Sequence, residues 1–223
     1  MTRINNFENI KSNLLNIIIL FFPVFLIIGN GITNLFLFIV TIIYFIESFI
    51  KKKVLYKERF EFKIFFIFYL YLILNSLLSD YIYISLLRSI GYIKFFIFVL
   101  VYLDYLEKQK NLFKISAVWT IILFSLNIDI VYQSIYGKDI FGYDSTNPIR
   151  NSGFFFDELI AGAFLLGFSF LSIFLLPDKY KILKYLFILF CLAACVLSGE
   201  RSNTIKFVII FLFFQIFLFE INF

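Results

Sequence analysis

Two arginines and three carboxylates lie in two polar stretches of the C-terminal half of this chain. Arg150, Asp157 and Glu158 belong to the first stretch, and Glu200 and Arg201 belong to the second. A guanidinium group is always charged, and its planar fork binds phosphate oxygens in pairs. A nearby carboxylate can orient or deprotonate an acceptor hydroxyl. Together these residue types favour a site for a lipid-linked diphosphate.

Three further charged residues lie in or beside apolar runs. Arg88 and Lys94 are six residues apart and are predicted either to face one vestibule at the outer end of a helix or to snorkel to the membrane interface. Asp129 precedes Gln133 by one helical turn, so both side chains are predicted to line one polar stripe. A carboxylate inside a membrane needs a partner, and we expect Arg150 or Arg201 to pair with Asp129.

Each of the two polar stretches has a functional interpretation and a simpler structural alternative. Residues 135–157 combine turn formers, both signs of charge and aromatic residues, which favours a structured loop over a solvated connector. Residues 198–203 form a tight turn between short apolar runs, so Glu200 and Arg201 are predicted to lie near the lipid headgroups. The alternative there is a local ion pair between these two neighbours.

The rest of the sequence must position these residues inside a membrane. Its hydrophobic fraction is 62% and its mean hydropathy is +0.95, whereas soluble domains are roughly 45–50% apolar. This composition excludes a soluble domain. The net charge of +5 comes from basic residues between the apolar runs, which indicates membrane orientation rather than a nucleic-acid partner. Cys191 and Cys195 are interpreted as small packing residues, and the absence of histidine argues against a zinc site.

The apolar runs predict an all-α fold, a polytopic transmembrane helix bundle of about eight spans with one structured outside loop. We expect one membrane domain over residues 1–223. The first run could be a signal peptide, but no cleavage site follows it, so a retained helix is favoured. The predicted spans are about 14–28, 32–50, 64–78, 90–106, 115–134, 154–176, 185–197 and 204–219.

The basic residues predict the orientation of the spans. With the N-terminus in the cytoplasm, 14 basic residues lie in inside segments and 6 lie in outside segments or their flanks. The positive-inside rule therefore favours a cytoplasmic N-terminus and an outside location for the loop that carries Arg150.

Several polar segments, taken in order, resemble those of the O-antigen ligase and polymerase family of bacterial envelope polysaccharide enzymes. The most specific pieces are Arg-x-x-Gly-Phe-Phe, which begins at Arg150, and Ser-Gly-Glu-Arg, which ends at Arg201. The resemblance covers roughly residues 77–206 and is carried by segments 85–94, 129–133, 137–143, 150–155, 157–162 and 198–201.

The resemblance implies glycan transfer from an undecaprenyl-diphosphate carrier at the periplasmic face of the bacterial inner membrane, with no cofactor and no metal. Ligases of this family transfer the glycan to lipid A–core, and polymerases extend a growing lipid-linked glycan. By the resemblance, Arg150 and Arg201 would bind the diphosphate, with Arg88 and Lys94 as further substrate-binding cations.

The carboxylates complete the expected site. Glu158 and Glu200 are the expected catalytic residues, and Asp129 and Asp157 are expected to orient the others. Ligases of the family also carry a histidine on a large periplasmic loop, whereas this chain has no histidine. We therefore expect the chain to correspond to the N-terminal part of a longer family fold and not to catalyse transfer by itself.

Two other functions remain open at the level of sequence. A transporter or flippase of lipid-linked sugars would also need outer cations, but it should show mid-membrane polar residues and inverted repeats. A non-catalytic membrane scaffold would make the loop arginines dispensable. The sequence does not separate a ligase from a polymerase and does not identify the sugar.

Overall fold

The protein is an α-helical chain, as the apolar runs predict. The computed structural model describes residues 2–108, 112–145, 147, 149–156 and 158–220, and the side-chain surroundings of all of these except 2–9, 178 and 216–220. Within these residues, the extended structure is limited to an isolated antiparallel bridge between Lys138 and Asp144. The helices are α1 (Thr2–Ile28), α2 (Asn30–Ile50), α3 (Phe60–Leu77), α4 (Ile82–Gly91), α5 (Ile93–Lys108), α6 (Leu112–Tyr136), α7 (Ala161–Phe174), α8 (Lys181–Leu197) and α9 (Arg201–Glu220).

Five helical stretches in the described part are long and apolar enough to cross a membrane. They are Ile10–Ile28, Asn30–Ile50, Phe60–Leu77, Ile82–Lys108 and Leu112–Tyr136. A helix satisfies every backbone polar group within its own segment, which is why an apolar run adopts it inside lipid. Each of the eight predicted spans overlaps a helix, but α7 has only 14 residues and α8 only 17.

The outward surface of the helices is apolar. In α3, the whole of which is described, Ser76 is the single buried residue. Large side chains such as Phe49 and Phe174 are 85% and 79% exposed. A protein that exposed this much apolar surface to water would aggregate, so the surface is suited to lipid. The protein is therefore membrane-embedded.

The predicted fourth span is wrong at its beginning. We expected a helix from about residue 90, but α4 already begins at Ile82, and a break at Tyr92 separates it from α5. The hydroxyl groups of Ser76 and Ser89 lie 2.6 Å apart and join α3 to α4. The segment before the predicted span is therefore helical as well, and it packs against α3 through this contact.

The predicted sixth span is also wrong at its beginning. We expected it from residue 154, but α7 begins at Ala161, and Gly153–Phe155 form a single 3₁₀ turn. Phe155 is buried against Phe164, with ring centroids 5.2 Å apart, and Phe156 has a positive φ of 54°. The phenylalanines thus anchor a loop to the helices instead of beginning a span.

The chain divides into two compact units. The first comprises Met1–Ile19 and Asn30–Lys110, and the second comprises Leu20–Gly29 and Asn111–Phe223. In the first unit, α2 packs against α5, and the Tyr105 hydroxyl donates to Asn16 Oδ1 at 2.5 Å. The buried residues of these two helices include Leu37, Val40, Ile97, Leu100 and Val101.

The first unit pairs its charges where α2 and α5 end. Glu47 accepts from Lys51 and lies 2.7 Å from the ammonium of Lys11. Arg59 binds both oxygens of Glu107, at 2.9 and 2.6 Å, and these hydrogen bonds raise the pKa of the guanidinium. We call these residues, together with Asp104 and Lys108, the charge network.

The second unit packs α6, α7, α8 and α9 around one apolar core. Polar contacts fix the helices within it: Ser116 donates to the Ser172 carbonyl at 2.6 Å, and Asn127 donates to Cys191 Sγ at 3.2 Å. Cys191 and Cys195 are free thiols that are fully buried, in agreement with their interpretation as packing residues. The core comprises Leu123, Leu126, Ile130, Phe155, Ala161, Phe164, Leu165, Ile173, Phe187, Ile188, Cys191, Ala194, Cys195 and Phe207.

Candidate functional site

The loop between α6 and α7 is anchored to the end of α6. Asp129 Oδ1 accepts from the backbone N–H of Ile140 at 2.8 Å, and Gln133 Oε1 accepts from the N–H of Gly153 at 2.9 Å. Both side chains are buried, and both point toward the loop, as their one-turn spacing predicts. The described residues of the loop are therefore structured, as predicted.

The expected partner of Asp129 is wrong. We expected Arg150 or Arg201, but in the described part of the chain neither guanidinium lies within ion-pair distance of this carboxylate. Its hydrogen-bond partner is the Ile140 backbone, and Asp129 Oδ2 has no partner among the described atoms. The reason is that the loop folds back onto α6, so a main-chain N–H reaches the carboxylate.

Asp139 orders the loop in the same way. Its Oδ1 accepts from the N–H of Tyr143 at 2.7 Å, while its own N–H donates to the Tyr143 carbonyl at 3.0 Å. The Tyr143 ring packs edge-on against Phe156, with centroids 4.9 Å apart. Acidic side chains in this loop are thus used to hold its backbone.

A second set of contacts joins this loop to the turn between α8 and α9. Asn151 donates to the Leu197 carbonyl at 2.6 Å, at the end of α8. Gly199, in the turn, has a positive φ of 74°, and a Cβ built on it would lie 2.7 Å from the Ile149 carbonyl oxygen and 3.1 Å from Arg150 Cγ. Only a residue without a side chain permits this approach of the two backbones.

Where the two segments meet, they enclose an open cleft of about 400 Å³, which we call the arginine cleft. It is lined by Asn147, Ile149, Arg150, Gly199, Glu200, Arg201, Ser202 and Asn203. Arg150 is half-buried and Arg201 is exposed. The structure therefore brings the two predicted diphosphate ligands to one cleft, although they are 51 positions apart in the chain.

Neither arginine of the cleft has a carboxylate partner in the part of the chain that the structure describes. Glu200 is the nearest acid to Arg201 by sequence, but it accepts from the N–H of Gly162 at 2.7 Å through Oε1 and from the Asn203 amide through Oε2. The nearest acid before Arg150 is Asp144, which pairs with Lys138 at 3.5 Å. Both guanidinium groups therefore remain able to bind an external anion.

Glu200 also determines where α7 begins. Gly162 is the second residue of that helix, and its N–H has no partner within the helix. A carboxylate at this position satisfies that donor and interacts favourably with the helix dipole. The catalytic role of Glu200 stays a prediction, and its contacts favour a positioning role.

The remaining predicted residues lie elsewhere or outside the described part. Glu158 is exposed just before α7, and its backbone N–H donates to the Phe155 carbonyl at 2.9 Å. Asp157 lies outside the described residues. Arg88, exposed on α4, and Lys94, at the beginning of α5, belong to the first unit, and neither is among the described residues that line the arginine cleft.

The pattern of charged residues did not predict the neutral residues that shape the cleft. Ile149 N–H donates to Asn147 Oδ1 at 2.9 Å, which makes a side-chain turn before Arg150. Asn203 supplies the amide that holds Glu200. Two features of the sequence could have indicated these residues. An asparagine lies close to each arginine, Asn147 near Arg150 and Asn203 near Arg201, and a glycine, Gly199, lies in the short turn before Arg201.

Comparison of the chain with protein-family models, with curated proteins and with solved structures found no match.

Proposed function

We propose that the protein binds the diphosphate of a lipid-linked glycan in the arginine cleft, as an O-antigen ligase- or polymerase-like transferase would. The observation that carries the proposal is that Arg150 and Arg201 line one cleft without a carboxylate partner among the described residues. Two guanidinium forks provide up to four paired hydrogen bonds for phosphate oxygens.

The surroundings of the cleft support a lipid-linked rather than a free phosphate. The second unit is membrane-embedded through α6, and its exposed side chains at the loop include Ile149 and Phe141. A polyprenyl tail would remain in the hydrocarbon beside the helices while the diphosphate reached the cleft. In this proposal the protein lies in the bacterial inner membrane, with its N-terminus in the cytoplasm and the arginine cleft at the periplasmic face. The proposed orientation follows from the 14 basic residues in inside segments against 6 in outside segments.

The carboxylates divide into two roles under this proposal. Glu200 has both oxygens hydrogen-bonded and acts as a positioning residue. Glu158 is exposed in the same loop as Arg150 and is the carboxylate we assign to the acceptor hydroxyl, where a general base must be within hydrogen-bond reach. The acceptor is lipid A–core for a ligase or a growing glycan for a polymerase.

Binding of undecaprenyl diphosphate to the purified chain in nanodiscs tests the proposal. We expect Arg150→Ala and Arg201→Ala each to weaken binding about 10- to 100-fold, because each removes charge-assisted hydrogen bonds. Arg→Lys at either position should recover binding in part, since an ammonium lacks the planar fork.

The matched control is Lys138→Ala, which removes an exposed cation from the same loop but not from the cleft. Its binding should equal that of the wild type. Wild-type affinity in both arginine variants would refute the proposal. A glycan-transfer assay with Glu158→Gln then asks separately whether a bound carrier is turned over.

A further inference from the structure

The loop between α2 and α3 forms a second cationic cleft, in the first unit. The cleft has a volume of about 660 Å³, and we call it the lysine cleft. It is lined by Glu47, Lys51, Lys53, Val54, Leu55, Tyr56, Lys57, Glu58, Arg59 and Lys108. Five of these ten residues are basic, so the cleft is a candidate site for an anion.

Most of the basic residues of the lysine cleft belong to the charge network. Lys51 pairs with Glu47, and Lys108 pairs with Asp104. Lys53 and Lys57 are different, because among the described residues no carboxylate lies within ion-pair distance of either ammonium. Both are exposed, and the cleft also contains one exposed acid outside the network, Glu58. The cations available to a ligand are therefore Lys53 and Lys57.

The loop that carries these lysines is anchored to α5 by a side-chain contact. Lys52 and Tyr56 have positive φ values of 50° and 63°, and the Tyr56 hydroxyl donates to Asp104 at 3.3 Å. Burial, followed by the charge of Asp104, raises the pKa of this hydroxyl, so it stays a donor at neutral pH. The Arg59 guanidinium lies 5.4 Å from the centre of the Tyr56 ring. These anchors preorganise Lys53 and Lys57, one on each side of Val54–Tyr56.

An apolar groove adjoins the lysine cleft. It has a volume of about 230 Å³, and we call it the aromatic groove. Val54 lines both the cleft and the groove. Tyr44 of the groove and Tyr56 of the cleft have ring centroids 6.0 Å apart, which also connects the two. The groove is lined by Tyr44, Phe45, Val54, Phe62, Phe65, Phe66, Tyr69, Ile93, Phe96, Ile97 and Leu100.

We propose that the lysine cleft and the aromatic groove together bind one anionic phospholipid. Its phosphate lies between Lys53 and Lys57, and one acyl chain lies along the groove. A water-soluble phosphate would leave the groove empty, and a zwitterionic lipid would gain little from the two lysines because its own cation offsets the phosphate. An anionic amphiphile fits both parts, since the cations lie at the end of membrane-spanning helices.

Native mass spectrometry of the purified chain, with dioleoyl phosphatidylglycerol or dioleoyl phosphatidylcholine added, tests this inference. We expect the wild type to retain phosphatidylglycerol in preference to phosphatidylcholine. The double substitution Lys53→Gln with Lys57→Gln should weaken phosphatidylglycerol binding about 30-fold, from the loss of two headgroup interactions. Binding of phosphatidylcholine should change little.

The matched control is Lys114→Gln with Lys179→Gln, which removes two exposed lysines outside the cleft. Its net charge equals that of the Lys53/Lys57 variant. We expect wild-type lipid binding in this variant. Equal loss in the control and in the Lys53/Lys57 variant would show a general charge effect and overturn the site.

A groove variant and inorganic phosphate distinguish a lipid from a soluble anion. Phe66→Ala removes an exposed ring of the groove and should weaken binding of dioleoyl phosphatidylglycerol more than that of its short-chain dihexanoyl analogue. If inorganic phosphate displaces phosphatidylglycerol at equal concentration and Phe66→Ala has no effect, the occupant is a soluble phosphate and the lipid assignment is wrong. Wild-type retention by the Lys53/Lys57 variant would overturn it entirely.

Discussion

The charge network and the arginine cleft use the same residue types in opposite ways. In the network, Glu47 pairs with Lys11 and Lys51, so each ammonium has a carboxylate partner. In the cleft, the acid Glu200 binds a backbone N–H and an amide, and the arginines beside it keep no carboxylate partner among the described residues. The comparison teaches that a cation such as Arg201 becomes available to a ligand when the acid beside it accepts from other donors.

Sequence spacing explains part of this difference. Glu47 and Lys51, and likewise Asp104 and Lys108, are four residues apart on a helix, where side chains are neighbours. Glu200 and Arg201 are adjacent in sequence, and Glu200 lies just before the first residue of α9, so this spacing does not apply to them. The alternative of a local Glu200–Arg201 pair is accordingly not what the structure contains, because Glu200 turns toward the beginning of α7.

The largest effect should come from breaking the charge network. Glu47→Ala would leave Lys11 and Lys51 without their shared carboxylate at a buried position. Removing one partner of a buried ion pair costs about 3–5 kcal/mol, so we expect a marked fall in the melting temperature in detergent. Undecaprenyl diphosphate binding by the second unit should persist at temperatures where the protein remains folded.

Glu107→Gln is the control for that substitution. Its side chain is 65% exposed, and loss of an exposed pair costs about 0–1 kcal/mol. Equal destabilisation by Glu47→Ala and Glu107→Gln would mean that burial does not distinguish the two pairs.

The next largest effect should come from closing the arginine cleft. Gly199→Ala introduces a Cβ against the Ile149 carbonyl at a residue with positive φ. We expect a loss of about 1–2 kcal/mol from the backbone conformation alone, with a further loss from the clash. The shift of the Arg150 segment should also weaken diphosphate binding, measured in nanodiscs.

Gly142→Ala separates these two causes. Gly142 also has a positive φ, 89°, but a Cβ there would meet no atom within 4 Å. It should lose only the conformational part of the stability and should bind diphosphate as the wild type does. Diphosphate binding reduced equally in both variants would contradict the role of the Gly199 contact.

The smallest effect should come from Glu200. Glu200→Gln places an amide where two donors, from Gly162 and Asn203, now meet carboxylate oxygens. The Asn203 amide can rotate to present its oxygen to the new amide, so charge-assisted hydrogen bonds become neutral ones. We expect a cost of about 1 kcal/mol or less in the free energy of unfolding. Adding Asn203→Asp restores a charge-assisted amide–carboxylate pair and should recover the melting temperature.

The double variant also distinguishes positioning from catalysis. If Glu200 positions the cleft, Glu200→Gln with Asn203→Asp should recover diphosphate binding together with stability. Recovered stability and binding without glycan transfer would instead make Glu200 a catalytic residue.

Helical elements were predictable where the apolar pattern was continuous. The runs that became α2, α3 and α6 are long and lack competing signals, and the predicted and observed bounds agree within a few residues. The beginnings of α4 and α7 were not predictable, because serines pair across helices in one case and phenylalanines anchor a loop in the other. Composition does not reveal which neighbour a serine or a phenylalanine will contact.

The sequence by itself determined that the protein is a helical membrane protein, and it identified Arg150 and Arg201 as residues of one type in two separate polar stretches. The sequence suffices for the first conclusion because an apolar segment inside lipid must be helical, however the helices pack against one another. Only the tertiary structure decided that the two arginines line one cleft, that Asp129 binds the Ile140 backbone and that Glu200 binds the beginning of α7. The physical reason is that these contacts join segments distant in sequence. Which donor each carboxylate binds depends on how closely two backbones approach, and glycines set that distance.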